Sequence, residues 1–417
     1  MFNNIDDALD WLYNQKKLKK REDLSRIKNC VELLNIKIDY KIIHIAGTNG
    51  KGSTANYIKN ILKLENKYVG IFTSPYILFF NERIMINDRY ISNSEIMYYL
   101  NKLYEFSNNY FEKYNDIIPF FELTLLMALM YFEDRNIDIA VIECGLGGLL
   151  DSTNFLKTDL SIITNVGYDH LAQLGPNLSD IASHKLGIVH DGNCCITYVK
   201  DELKQQFDEY KKNHNAKMLY INDYVKNINI LDKGVSFEYK NEYFITPLSG
   251  IYQAYNASLA IEAVRYIDDK IPNLLIQEGL NETFMPGRFE YIKDNIIIDG
   301  AHNISAIEAL TDSIKLKFKN KKINIIYSAL FDKEYDKMIK HLSNIANKFY
   351  FTTLKDLRAT DPNIFSKYTN VSSYTFINYE ECINKAINDL KDDEILLITG
   401  SLHFISCVRN YLKNNNF

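Results

Sequence analysis

Short apolar runs alternate along the chain with longer segments whose apolar residues recur at helical spacing. The runs predict buried strands, and the longer segments predict helices packed on a sheet. Strands are predicted over 41–46, 68–72, 138–143, 160–165 and 195–199. Helices are predicted over 4–16, 23–35, 55–64, 93–114, 120–135 and 253–267. This alternation is typical of an α/β fold with a parallel sheet covered by helices on both faces.

The pattern changes in the second half of the chain. Two alternating runs, 235–239 and 242–245, predict a hairpin, which we interpret as a small antiparallel sheet at the edge of the first domain. Pro286-Gly287 is a loop signal, and strand–helix alternation restarts after it. We therefore predict a first domain over 1–285 and a smaller, Rossmann-like α/β domain over 286–417. Its strands are predicted over 295–298, 323–327, 348–352, 372–377 and 394–398, and its helices over 303–317, 333–346, 379–391 and 402–413.

The most informative stretch follows the first predicted strand and reads Gly47-Thr48-Asn49-Gly50-Lys51-Gly52-Ser53. A strand, a glycine-rich loop and a helix in this order present backbone N–H groups and a positive helix end to an anion. Lys51 can reach nucleotide phosphates, and a nearby hydroxyl can bind Mg²⁺. The match to the usual phosphate-loop pattern is imperfect, because Gly52 separates Lys51 from Ser53. A purely structural turn is the alternative.

Several polar side chains follow predicted strands, at the edge where open α/β sheets bind ligands. Ser74, Glu143 and His170 offer a hydroxyl, a carboxylate and an imidazole near the loop, a candidate Mg²⁺ shell. Taken alone, Ser74 also suits a turn, His170 a structural role, and Lys185 a solvated helix position. In the second domain, Asp299 and His302 are placed to contact a ribose or base; the alternative is helix capping by Asp299 or Asn303.

Composition narrows the class of protein. The 417 residues are 47% hydrophobic and 24% charged, as in ordinary globular proteins, and the net charge of −5 argues against a nucleic-acid-binding surface. The six cysteines show no C-x-x-C spacing, which fits reduced thiols. No apolar run is long enough to span a membrane, and the polar, acidic N-terminus is unlike a secretion signal. We expect a cytoplasmic monomer.

Together these motifs resemble the folylpolyglutamate synthase / dihydrofolate synthase family of Mur-type ATP-dependent ligases. The resemblance extends along the whole chain and includes the loop at 46–53. The other matching segments are Thr73-Ser74-Pro75, Glu82-Arg83-Ile84, Glu143–Gly148, Asp151–Asn154, Asp169-His170, Lys185–Ile188, Pro286-Gly287-Arg288, Asp299–Asn303 and Asp332-Lys333.

The resemblance implies an enzyme of Mur ligase architecture that adds L-glutamate to the γ-carboxyl of a folate, using ATP and two Mg²⁺ sites. It implies that Lys185 is carbamylated and acts in catalysis with Lys51 and His170. The implied metal ligands are Ser53, Ser74, Glu143, His170 and Lys185. The implied ATP contacts are Asn49, Gly50, Lys51, Gly52, Ser53, Asn256, Arg288, Asp299 and His302. The implied folate-binding stretch is Phe120, Phe121 and Glu122.

Two departures from the family pattern stand out. Leu149 replaces an arginine common in members that also make dihydrofolate, and His184 stands where an acidic residue is frequent. A bifunctional enzyme that also ligates glutamate to dihydropteroate remains an alternative. Others are a phosphate-loop kinase or NTPase, a nucleotide-sensing module without turnover, and a cell-wall ligase acting on a nucleotide-linked peptide.

Overall fold

The computed structural model describes residues 1–15 and 23–415, so residue 16 of the first predicted helix lies outside the described residues. The described chain forms two compact units. The first contains Met1–Val166, His170–Asp223 and Asn256–Glu282, and the second contains Gly167–Asp169, Tyr224–Tyr255 and Thr283–Phe417. None of the helices in the described ranges combines the length and apolar character needed to cross a membrane.

An eight-stranded sheet forms the centre of the first unit, in the order β4-β3-β2-β5-β1-β6-β7-β8. Its strands are β1 Lys41–Ala46, β2 Val69–Phe72, β3 Ile84–Ile86, β4 Arg89–Tyr90, β5 Ile139–Glu143, β6 Leu160–Ile163, β7 Cys194–Thr197 and β8 Lys217–Tyr220. The strands from β2 to β8 in this order run parallel, while β3 and β4 add antiparallel pairs at one edge. The predicted parallel sheet is confirmed.

The sheet is covered by helices on both faces, which is why its central strands read as continuous apolar runs. The helices are α1 Ile5–Tyr13, α2 Ser25–Leu33, α3 Lys51–Leu64, α4 Asn93–Tyr114, α5 Phe120–Asp134, α6 Leu171–Leu174, α7 Leu178–Leu186, α8 Asp201–Asn213, α9 Tyr252–Ile267 and α10 Asn273–Asn281. As its sequence predicts, α5 is buried over most of its surface. The carboxyl ends of β5, β1 and β6 lie side by side, at the edge where ligands bind in such sheets.

Two sheets form the second unit. A six-stranded sheet has the order β12-β13-β17-β14-β15-β16, and a three-stranded sheet has the order β11-β10-β9. The strands are β9 Val225–Ile230, β10 Val235–Tyr239, β11 Glu242–Thr246, β12 Glu290–Lys293, β13 Ile296–Asp299, β14 Lys322–Tyr327, β15 Ala346–Phe351, β16 Ser373–Thr375 and β17 Glu394–Thr399. The helices are α11 Ile304–Lys317, α12 Tyr335–Leu342, α13 Tyr379–Asp389 and α14 Leu402–Asn414. The predicted second α/β unit is confirmed.

The small antiparallel sheet is grouped with the second unit, whereas the sequence placed it at the edge of the first domain. Helix α11 explains the difference. Lys317 at its end donates hydrogen bonds to the carbonyls of Leu231 (2.6 Å) and Asp232 (2.7 Å), and Ser313 accepts one from the Ile251 amide at 3.2 Å. The division after residue 285 stays a prediction.

Other differences are local. Helix α12 was predicted over 333–346 but ends at Leu342, because Ala346 already pairs with Ile323 in the parallel ladder of β14 and β15. Helix α8 and strand β8 were not predicted. Only Leu203 and Phe207 are buried in α8, so few apolar residues mark this polar segment as a helix.

Candidate nucleotide and metal site

The loop at 47–53 is fixed to the end of β6. The amide of Asn49 donates to the side-chain oxygen of Asn165 at 3.0 Å. The carbonyl of Asn49 accepts hydrogen bonds from the Thr164 hydroxyl (2.6 Å) and from the Asn165 amide group (2.9 Å). Because both the N–H and the C=O of Asn49 are held, the loop is fixed to the end of β6.

Helix α3 starts directly from this loop. Gly50 stands at its N-cap in the left-handed region, with φ of 85°, and no side chain caps the helix there. The first amides of an uncapped helix need acceptors, and phosphate oxygens suit them. Ser53 lies buried in the first turn. The geometry therefore suits anion binding better than a merely structural turn.

Lys51, Glu143 and Ser74 meet at the same edge of the sheet. The ammonium of Lys51 donates to the carbonyls of Gly47 (3.0 Å) and Thr48 (3.5 Å) and lies 3.7 Å from a carboxylate oxygen of Glu143. The other oxygen of Glu143 accepts a hydrogen bond from the Ser74 amide at 3.3 Å. The structure thus brings together three of the residues predicted from the sequence. They include a cation that suits phosphate and a carboxylate that suits a metal ion.

Lys185 lies on α7 and is 2% exposed, so it is not the solvated helix residue that its sequence alone would suggest. It packs near Gly148, because a Cβ placed at Gly148 would lie 3.2 Å from the Cα of Lys185. Burial raises the pKa of the Cys144 thiol, beside Glu143, while the charges of Lys51 and Lys185 lower it. Both lysines therefore act on the same end of β5.

His170 is exposed and precedes the short helix α6, with φ of 52°. In residues 1–15 and 23–415, no group of three or more His, Cys, Asp or Glu side chains is arranged to hold a metal. A cation at this edge would therefore need oxygen ligands of other kinds beside Glu143, such as the hydroxyls of Ser53 and Ser74 or a carbamate on Lys185. The role of His170 as a ligand stays a prediction.

Asn256, near the start of α9, lies against the loop. A Cβ placed at Gly50 would lie 2.3 Å from the side-chain oxygen of Asn256. Only glycine fits between them, and only glycine adopts this φ without strain. The nucleotide contact of Asn256 was implied by the resemblance alone, and the structure places Asn256 beside the loop.

Replacing Gly50 with alanine is expected to weaken ATP binding at least about tenfold, because the added methyl group displaces Asn256 and distorts the start of α3. The positive φ adds a stability cost of about 1 kcal/mol. Titration calorimetry with ATP and Mg²⁺ measures the affinity. The matched control is Gly192→Ala, since Gly192 has φ of 74° and nothing within 4 Å of an added Cβ. Equal ATP affinity of the two variants would contradict the prediction.

The predicted folate-binding stretch opens α5. Phe120 stacks on Tyr13, with ring centroids 5.6 Å apart, and the ring of Phe121 would lie 2.7 Å from a Cβ at Gly145. Glu122 is 5% exposed and forms a two-point ion pair with Arg26, both N–O distances being 2.7 Å. Its carboxylate is therefore engaged by the protein, which sequence reasoning missed. Folate binding by this stretch stays a prediction.

In the second unit, Asp299 ends β13 and is buried. Its carboxylate accepts hydrogen bonds from the amides of Phe289 and Ala301, both at 2.8 Å. Burial raises the pKa of Asp299, and the charge of Arg288 opposes that rise. Asp299 and Arg288 are thus neighbours, as the predicted nucleoside site requires. Asp299 shapes the turn after β13.

His302 and Asn303 follow in the same turn, and the structure distinguishes their predicted roles. Burial lowers the pKa of His302 to about 4, so its ring is neutral near pH 7, and its Nδ1 lies 2.8 Å from the Gly300 carbonyl. Asn303 caps α11 by accepting a hydrogen bond from the Ala306 amide at 2.9 Å. The capping alternative is therefore confirmed for Asn303.

Asp169 belongs to a motif that supported the resemblance, but the sequence analysis assigned it no role. Its carboxylate accepts hydrogen bonds from Lys333 (2.7 Å) and Asn303 (2.9 Å), and His302 Nε2 lies 3.8 Å away. The signal was the pair of short motifs, Asp169-His170 and Asp332-Lys333, far apart in sequence. Nothing in either motif alone indicated that they meet.

Beneath Glu143, a buried hydrogen-bonded chain joins β1 to the loop after β5. The Thr153 hydroxyl donates to Asp151 at 2.6 Å, so its oxygen accepts from Nε2 of His44 at 2.8 Å. Asp151 also accepts a hydrogen bond from the Leu146 amide at 2.7 Å. Cys144 lies 3.1 Å from the same His44 nitrogen. This chain holds the glycine-rich turn at 145–148 in place.

We expect the free energy of unfolding to fall as the pH drops from about 6.5 towards 3. Burial lowers the pKa of His44 to about 3, so the unfolded chain binds this proton first and acid favours unfolding. The His44 contribution is present above pH 6.5 and amounts to a few kcal/mol at most (about 1.4 kcal/mol per pH unit). Urea unfolding at several pH values should show a shallower slope for His44→Gln than for the exposed-site control His403→Gln. An unchanged slope in His44→Gln would contradict the prediction.

Comparison with known proteins adds two family matches. The Mur ligase middle domain matches residues 45–264, and the Mur ligase glutamate ligase domain matches residues 287–402. The loop, Glu143, Lys185 and Asn256 lie in the first match. Arg288, Asp299 and His302 lie in the second.

Two relatives and one solved structure match nearly the whole chain. The dihydrofolate synthase/folylpolyglutamate synthase of Bacillus subtilis is 33% identical, over 99% of this chain and 100% of that protein. The folylpolyglutamate synthase of Lacticaseibacillus casei is 30% identical, over 98% and 99%. The fold matches the bifunctional enzyme of Yersinia pestis, complexed with AMPPNP and Mn ion, with a TM-score of 0.88 at 24% identity, over 99% and 98% of the chains.

Proposed function

Because the chain belongs to the Mur ligase family and, within it, to the folylpolyglutamate and dihydrofolate synthases, we propose that it joins L-glutamate to the γ-carboxyl of a reduced folate at the expense of ATP. The products are a folylpolyglutamate, ADP and phosphate. The observation that carries the proposal is the meeting of Lys51 and Glu143, 3.7 Å apart, at the carboxyl end of β5. The match to the Bacillus subtilis relative over 99% of the chain supports it.

The chemistry explains why a ligase needs such a site. A carboxylate is a poor acyl donor, so the γ-phosphoryl group of ATP is transferred to it to give an acyl phosphate. The glutamate amine then attacks the carbonyl carbon, and phosphate leaves. Lys51 and the amides at the start of α3 offset the charge on the transferring phosphoryl group. In the described structure Lys51 bonds its own loop, and we propose that it turns to the phosphates when ATP binds.

The remaining site residues follow from the same proposal. In the first unit, Asn49, Gly50, Gly52, Ser53 and Asn256 would contact ATP. The family resemblance also implies nucleotide contacts for Arg288, Asp299 and His302. Phe120 and Phe121 would offer aromatic faces to the flat pterin ring.

We further propose two Mg²⁺ sites, with Ser53, Ser74, Glu143, His170 and Lys185 as ligands. Bound Mg²⁺ would neutralise phosphate charge and orient the phosphoryl group. Neutral Lys185 would react with CO₂, forming an N–C bond and releasing a proton, so that a buried cation becomes a carbamate anion suited to Mg²⁺. The burial of Lys185 supports this, because a buried ammonium is costly. The Mn ion in the Yersinia pestis enzyme supports a divalent metal.

The test is an ADP-release assay with purified protein. We expect ADP only when a folate and L-glutamate are both present, together with a product heavier by one glutamyl residue. ADP release independent of both substrates would indicate a kinase or NTPase. ATP binding without any turnover would indicate a nucleotide sensor. A nucleotide-linked peptide used in place of folate would indicate a cell-wall ligase.

A second candidate is the bifunctional enzyme, since the Bacillus subtilis relative bears both names. The residue in question is Leu149, which is 47% exposed beside the Gly147-Gly148 turn. Parallel assays with dihydropteroate and tetrahydrofolate separate the two activities. Product from tetrahydrofolate alone is expected if the missing arginine is needed for dihydropteroate.

A further inference from the structure

Arg83 is a buried cation that makes no direct ion pair with a carboxylate among the described residues. It stands directly before β3 and is 7% exposed. Its Nε has no hydrogen-bond partner among the described residues, and no ion pair links it to a carboxylate in those ranges. A guanidinium has five N–H donors and carries its charge permanently. Burying such a group without hydrogen-bond acceptors costs free energy. A bound ligand can supply the acceptors that the protein lacks.

Aromatic faces surround the guanidinium. Its central carbon lies 5.1 Å from the ring centroid of Tyr76, 5.2 Å from that of Phe120 and 5.9 Å from that of Phe80. The Tyr76 hydroxyl lies 2.9 Å from that of Tyr13, which stacks on Phe120. These rings hold the guanidinium in place, but its Nε–H still has no hydrogen-bond acceptor among the described residues.

The nearest acid in sequence does not neutralise it. The Glu82 carboxylate accepts hydrogen bonds from the amides of Ile77 (2.7 Å) and Leu78 (3.1 Å), so it fixes the loop that carries Tyr76. Burial lowers the pKa of Arg83, and the charges of Tyr76, Tyr13 and Glu143 act in the opposite direction. Within the motif at 82–84, Glu82 thus shapes the loop, whereas Arg83 is available to bind a ligand.

The sheet places Arg83 in line with the phosphate site. Ile84 pairs with Phe72, and Phe72 pairs with Ile142, so the ends of β3, β2 and β5 lie side by side. Neighbouring strands are about 4.8 Å apart, which puts the backbone of Arg83 roughly 10 Å from that of Glu143. A carboxylate that lies near Glu143 is therefore within reach of the long Arg83 side chain.

We propose that Arg83 binds a carboxylate of the acyl substrate, with its guanidinium held ready between the rings of Tyr76 and Phe120. The proposal rests on the proposed function, since it names which residue grips the folate beside the reacting end. A carboxylate supplies two acceptors that match the guanidinium fork and places an opposite charge in direct contact with it. The carboxylate is either the reacting γ-carboxylate or the α-carboxylate next to it.

Titration calorimetry of tetrahydrofolate in the presence of AMPPNP and Mg²⁺ tests the proposal. We expect Arg83→Gln to weaken folate binding at least tenfold and Arg83→Lys to weaken it less. The control Arg89→Gln removes an exposed arginine that pairs with Glu95 on the same edge of the sheet, and it should bind as wild type. The melting temperature of Arg83→Gln should stay close to that of Arg83→Lys, because no ion pair is lost and the ring contacts of an exchanged cation are weak. Wild-type affinity in Arg83→Gln, or weaker binding only with a lower melting temperature in both Arg83 variants, would overturn the proposal.

A second ligand, the tetrahydrofolate α-carboxamide, distinguishes the α-carboxylate from the γ-carboxylate as the group that Arg83 binds. If Arg83 binds the α-carboxylate, wild type and Arg83→Gln bind this ligand equally. If Arg83 binds the γ-carboxylate, the tenfold difference persists. Folate binding without glutamate ligation by the wild type would reject the proposed function and leave the Arg83 contact standing. No folate binding by the wild type would reject both.

Discussion

Replacing Lys51 with methionine is expected to lower kcat at least about 100-fold. In the proposed reaction the Lys51 ammonium moves from the Gly47 carbonyl to the transferring phosphoryl group, where no other described cation of the loop replaces it. Removing one preorganised charge from a reacting phosphate or oxyanion costs about 10²–10³ in rate. Methionine keeps the length and apolar stem of lysine, so α3 should be retained. The measurement is steady-state ADP release with saturating folate and glutamate.

The matched control lies on the same helix. Lys63 pairs with Asp88 and Glu282 at the other end of α3, at 2.9 and 2.6 Å, so Lys63→Met should keep kcat within about twofold. Similar losses in both variants would point to a damaged helix and not to a catalytic charge. A Lys51→Met enzyme with wild-type turnover would remove Lys51 from the proposed mechanism.

Replacing Lys185 with alanine is expected to lower kcat at least about tenfold, on the order of 1.4 kcal/mol. Alanine cannot form a carbamate, so the proposed second Mg²⁺ site would lose an oxygen ligand. A small carboxylate such as acetate should restore part of the activity, because it supplies similar oxygens in the space left behind. Mass spectrometry of the intact wild type under CO₂ offers a readout that does not depend on turnover.

The control for this variant is Lys211→Ala, an exposed lysine on α8, which should turn over as wild type. Rescue by acetate in Lys185→Ala but not in Lys51→Met would distinguish a metal ligand from a phosphate-binding cation. Unchanged turnover of Lys185→Ala would exclude Lys185 from the reaction.

The parts of the fold that were predicted from sequence are those with strong apolar signals. Strands β1, β5 and β6 are buried on both faces, so an unbroken apolar run was enough to find them. The phosphate loop was found because glycine, lysine and hydroxyl residues stand between such a strand and a helix. The meeting of Lys51 with Glu143 followed from strand order, since parallel strands bring their carboxyl ends to one edge.

What the sequence did not predict depends on pairing between distant residues. Glu122 reads as a polar residue beside two phenylalanines, and only the structure shows that Arg26 neutralises it at 2.7 Å. Asp169 and Lys333 lie 164 positions apart. Periodicity reports which side of an element is buried, and it carries no information about which partner is met there. Resemblance identified these motifs without giving the contacts between them.

The second unit is built from separate stretches of the chain, and this limits how the protein can be dissected. A fragment beginning at residue 286 would lack Tyr224–Tyr255, which supplies the three-stranded sheet of that unit. The end of α11 would then lose the carbonyls of Leu231 and Asp232, to which Lys317 donates. Such a fragment would expose surface that is normally covered by the three-stranded sheet, and we expect it to aggregate. A split or circularly permuted version would have to retain residues 224–255 in the piece that carries α11.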